Sequence, residues 1–203
     1  MKLFLLQTIN ALPWIQMSLF IILLIVLCIL YWRQRLGYGM LRRTIFLQLG
    51  IHLLGIASYA ALIWIYFRQT TYASLYLPPQ GSVLLTNLAM GFTTIISGWV
   101  FVAVFFIGLW YFFLRRGQGA MLDVRDVGLF MVGAIPNGWP GGLLFLAIVF
   151  ALSVFGMITL VIFRKKKLTE RLIITPYILP AAILTLITGP YFLALTHLDK
   201  IRF

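Results

Sequence analysis

The run PWIQMSLFIILLIVLCILYW, residues 13–32, is apolar and carries no charged side chain. A helix needs about 20 such residues to cross the hydrocarbon layer of a bilayer. The run therefore predicts a membrane-spanning helix. Its length, with only Lys2 ahead of the first apolar residues, favours a retained helix over a cleaved signal.

Working outward, the rest of the 203-residue chain reads the same way. A second apolar segment at 44–67 is closed by Arg68, and a polar, proline-containing connection, RQTTYASLYLPPQGS, follows it. The stretch 83–114 is apolar throughout and fits either one strongly tilted helix or two short ones. Two further segments, at about 141–163 and 172–195, flank the basic turn RKKKLTER. Composition agrees, with 63% hydrophobic residues, 10% charged residues and a mean hydropathy of +1.05, more apolar surface than one soluble core hides. The expected fold is all-α, a polytopic transmembrane bundle of about five to six spans with one broken helix. Neither repeats nor a soluble module interrupt it, so residues 1–203 form a single domain.

A formal charge of +12 suggests nucleic acid at first sight. The basic residues, however, fall in short clusters between apolar segments: Arg33, Arg35, Arg42 and Arg43; Arg115 and Arg116; 164–167 with Arg171. Clusters of this kind mark cytoplasmic loops against anionic lipid, and no basic face interleaved with aromatics exists outside the membrane. The expected partners are the lipid bilayer and other membrane protein subunits, with no nucleic acid. A bacterial inner membrane fits the basic loops best. Cys28 is the single cysteine and lies inside an apolar run, which excludes a disulfide framework and leaves no metal-ligand spacing.

The stretch RRGQGAMLDVRDVGLFMVGAIPNGWPGG, residues 115–142, contains Asp123 and Asp126, two of only four carboxylates in the chain. They lie three apart and share a helix face. GAIPNGWPGG then breaks any regular helix. A break at membrane depth must be buried in protein or face a water-filled cavity, because lipid cannot satisfy the freed backbone groups. An acid at the membrane boundary is a functional candidate. The alternative is ion pairing of both aspartates with Arg115, Arg116 or Arg125 at the interface.

From Asp123 to about Phe192 the chain resembles the C-terminal half of the prepilin peptidases, membrane aspartic proteases whose second catalytic aspartate ends a Gly-x-Gly-Asp motif usually continued as Asp-Val-Lys-Leu. In AMLDVRD the aspartate matches Asp123, Val124 matches, and Arg125 stands for the lysine. Downstream, an apolar helix, a basic turn and LIITPYILPAAIL resemble the family's order at similar spacing. If the chain is peptidase-like, the resemblance makes Asp123 its catalytic residue. The chain also departs from the family. Ala120 and Leu122 replace the motif glycines, which removes the close backbone approach that glycine permits. The family's first catalytic aspartate precedes an Ile-Pro pair, and the nearest counterpart, Leu77-Pro78, puts Thr71 in its place. Aspartic proteolysis needs two carboxylates sharing a proton across a water, and threonine supplies neither acid nor base. The resemblance thus implies a pseudoenzyme. A second segment, PNGWPGGLLFLAIVFAL, resembles the opening of the first conserved helix of some amino-acid ABC permeases, although no loop is long enough for a coupling helix.

His52, in LGIHLLGIASYA, is the only histidine inside a span and is flanked by Gly50, Gly55, Ala57 and Ser58. An imidazole beside small residues is a candidate haem or pigment ligand; it equally suits a hydrogen bond to a neighbouring helix. No cofactor and no metal is otherwise called for. The six tryptophans fall mostly near predicted span ends, as interfacial anchors do. An enzyme should offer converging polar groups, and a transporter paired broken helices. An accessory or structural subunit of a larger membrane complex needs only packed helices and short loops. That class fits the sequence best, with a membrane aspartic protease and a permease subunit as alternatives.

Overall fold

The computed structural model describes residues 2–69, 124–163 and 174–195, together with scattered positions between 85 and 108. Every regular element among them is helical: α1 (Lys2–Trp32), α2 (Tyr38–Arg68), α3 (Val124–Ala134), a 3-10 turn (Ile135–Asn137), α4 (Gly138–Ile162) and α5 (Thr175–Leu195). The protein is a multi-pass helical membrane protein, and four of these helices are long and apolar enough to cross a bilayer. In lipid each backbone N–H and C=O must find a partner within the chain, which a helix provides. Serine and threonine hydroxyls follow suit: Ser18 donates to the Trp14 carbonyl and Thr185 to the Ala181 carbonyl, one turn back in each case.

Helix α1 starts three turns before the run that announces it, and Pro13 lies inside it. Trp14 consequently sits within a helix, whereas Trp32 and Trp64 fall near helix ends. The α1 end is a Schellman turn, in which Gln34 N–H donates to the Tyr31 carbonyl and Arg35 N–H to the Leu30 carbonyl. Such a turn needs a left-handed residue, and Gln34 takes φ 55° in a place that glycine usually fills. Leu36 then drops into the core, and Gly37 opens α2.

The core gathers Leu24 and Leu27 of α1, Leu41 of α2, Leu129 and Val132 of α3, Phe145 and Val149 of α4, and Ile178 and Ala182 of α5. The most enclosed element is α3. Its Gly133 leaves room for nothing larger, since a Cβ there would lie 2.7 Å from Phe145 Cζ and 3.2 Å from Ala182 Cβ. Contacts along the helices set their directions. Gly128 meets Leu41, Val132 meets Gln48 and Ile135 meets His52, so α3 runs beside α2 in the same sense. Tyr177 lies over Gly156, and Gly189 meets Leu144, so α4 and α5 run in opposite senses. The segment 124–162 is therefore re-entrant: α3 enters, the 3-10 turn reverses the chain, and α4 returns. The Arg33–Gly37 turn, Val124, Phe163 and Ile174 all lie at one end of the bundle, and Arg68 lies at the other. Of the ambiguous 83–114 segment, only scattered positions between 85 and 108 are described, each of them helical.

Candidate functional site

Proline dictates the architecture of the break. In a continuous helix the Val132 carbonyl accepts from the N–H of residue 136, but Pro136 has none. Gln48, fully buried on α2, fills the gap by donating Nε2–H to that carbonyl at 2.9 Å. One residue pair further on, the Ile135 carbonyl accepts from the Gly138 N–H and also from His52 Nε2–H at 3.2 Å. Asn137 folds back to donate Nδ2–H to the Gly133 carbonyl at 2.7 Å. Gly138 then reverses the chain at φ 55° and ψ −166°, a region that only glycine occupies without strain. Pro140 does no harm in the first turn of α4, where N–H groups have no helical partner.

Thr44, Gln48 and His52 therefore form a polar stripe on successive turns of α2, facing the broken helix. His52 uses both ring nitrogens. A carbonyl can only accept, so Nε2 carries the hydrogen, and Nδ1 accepts from Gln16 Nε2–H of α1 at 3.1 Å. The imidazole also leans on Phe20, with ring centroids 4.7 Å apart and planes at 43°. Gln16 fits because residue 55 is glycine: a Cβ there would lie 2.7 Å from Gln16 Oε1. Counted from Arg43, His52 is about 14 Å along α2, near the middle of an apolar layer about 30 Å thick.

Beside this network opens a cavity of about 520 Å³, with walls from α1 (Pro13, Gln16, Met17, Phe20), the turn (Pro136, Asn137) and α5 (Thr185, Leu186, Gly189, Pro190). It extends toward Leu193 and Ala194, away from the basic end, and the packed core lies beneath its floor. Compared with protein families, curated proteins and solved structures, the chain matches none.

Of the residues singled out in the sequence, His52 is at the cavity. Asp123 lies outside the described residues, as do Thr71 and the clusters at 115–116 and 164–167. Asp126 sits half-buried in the first turn of α3, where a carboxylate complements the helix dipole. It lies about 14 Å along the helix from Ile135 and so does not join the His52 network. A haem or pigment metal on His52 would have to displace Gln16 from Nδ1. Among the described residues no three His, Cys, Asp or Glu side chains converge on a metal position. Sequence reasoning missed Gln16, Gln48 and Asn137. The available signal was the presence of lone amides inside apolar runs, where an unpartnered polar group is costly.

Proposed function

We propose that the protein is a non-catalytic accessory or structural subunit of a larger complex in a bacterial inner membrane, built on a prepilin-peptidase-like scaffold that has lost its dyad. The observation carrying this reading is the engagement of the polar side chains around the break. Gln48, His52 and Asn137 each serve a backbone carbonyl, and Gln16 serves His52. These side chains hold a bent chain together, whereas a catalytic group must face a substrate.

The test is migration on native gels after extraction in several mild detergents, with mass spectrometry of the co-migrating proteins. The reading expects an assembly much larger than 23.2 kDa, left intact by Asp123→Asn. A free monomer in every detergent would refute it. Prepilin cleavage abolished by Asp123→Asn at normal membrane levels would instead establish the protease alternative. The permease alternative draws on the broken helix beside a cavity that extends toward one side only. Broken helices at transporter sites usually come in pairs, and among the described residues there is one.

A further inference from the structure

We propose that the cavity beside His52 is a binding site for a lipid-soluble phenol-type molecule, an aromatic ring bearing an O–H on an apolar tail. Its size, about 520 Å³, lies in the range of small-molecule sites, about 300–1,000 Å³. The hydrogen-bonding character of its walls selects the ligand. Asn137 gives one N–H to Gly133, and its Oδ1 has no partner among the described residues. Thr185 donates its hydrogen to Ala181, so its oxygen offers only lone pairs. Leu186 is the residue whose helical acceptor role Pro190 cancels. The His52 ring N–H is already given to Ile135. The cavity thus offers several acceptors beside the second amide N–H of Gln16 and of Asn137, in an apolar layer where an O–H has few alternatives.

The shape of the walls selects a ring. Phe20 and the pyrrolidines of Pro13, Pro136 and Pro190 are rigid, flat-sided groups that a planar aromatic covers without freezing new rotamers. The route toward Leu193 and Ala194 leaves room for a tail on the side away from the basic end. Binding of such a molecule is independent of whether the chain is an accessory subunit.

The experiment measures equilibrium binding of radiolabelled 4-octylphenol to the full chain in lipid nanodiscs, with empty nanodiscs subtracted. Competitors are 4-octylanisole, which lacks the O–H, and dodecanol, which lacks the ring. One equivalent of saturable phenol binding is expected, with each competitor weaker by about tenfold, the worth of one well-made hydrogen bond or one ring contact. Ala194→Trp closes the mouth from an exposed rim position remote from the break, and it should lower affinity at least tenfold. Asn137→Ala should bring 4-octylphenol down to the affinity of the anisole. Should Asn137→Ala not fold, Ala194→Trp carries the test alone. Absence of a saturable component, equal binding of phenol and anisole, equal competition by dodecanol, or unaltered binding by Ala194→Trp would each overturn the proposal.

Discussion

If Gln48 is there to serve the carbonyl that Pro136 orphans, restoring an N–H at position 136 should make Gln48 dispensable. Gln48→Leu strips the Val132 carbonyl of its side-chain donor, and an unpaired buried carbonyl costs about 1–3 kcal/mol. The same substitution removes Gln48 Oε1, itself buried without a partner among the described residues, which returns part of that cost. Hydrogen bonds between helices in bilayers average about 0.6 kcal/mol and reach about 1.7. The expected net destabilisation is therefore about 1 kcal/mol. In a Pro136→Ala background the backbone N–H returns, and Gln48→Leu should be neutral or stabilising. The double-mutant cycle then reads a coupling of about 1 kcal/mol. Unfolding by SDS in mixed micelles, followed by circular dichroism, gives the four free energies. Equal destabilisation by Gln48→Leu in both backgrounds would refute the link between Gln48 and Pro136.

Three further outcomes follow from the packing and the termini. Gly133→Ala should destabilise by about 1–3 kcal/mol in the same assay, because neither Phe145 nor Ala182 can retreat, and Phe145→Leu should recover part of the loss. Gln34→Gly should stabilise by about 0.5–1 kcal/mol through relief of the left-handed backbone; no gain would mean that the Gln34 side chain contributes more than its strain costs. In a background lacking Cys28, a cysteine at Thr71 should react with a membrane-impermeant reagent in intact cells while one at Gly119 stays protected. Protection at both sites would instead favour a peptidase-like topology and revive Asp123 as the remnant of an active site.

The helices were legible in the sequence because the signal is local. A run such as 13–32 leaves the backbone no solvent to bond, so it must bond itself, and hydropathy alone says where. The break was legible for the same reason, since Pro136, Gly138 and Pro140 act on the residues beside them. The local signal fell short at Pro13, which opens the uncharged run but lies inside α1. What only the tertiary structure decided was pairing. Gln48 and the Val132 carbonyl are 84 positions apart, and His52 and the Ile135 carbonyl 83 apart. A lone amide or imidazole in an apolar run announces that it needs a partner but does not name one, because the match depends on helix direction and rotation. Those depend on where small residues let helices close, as at Gly133 against Phe145 and Gly55 against Gln16, contacts for which no spacing in the chain is a guide.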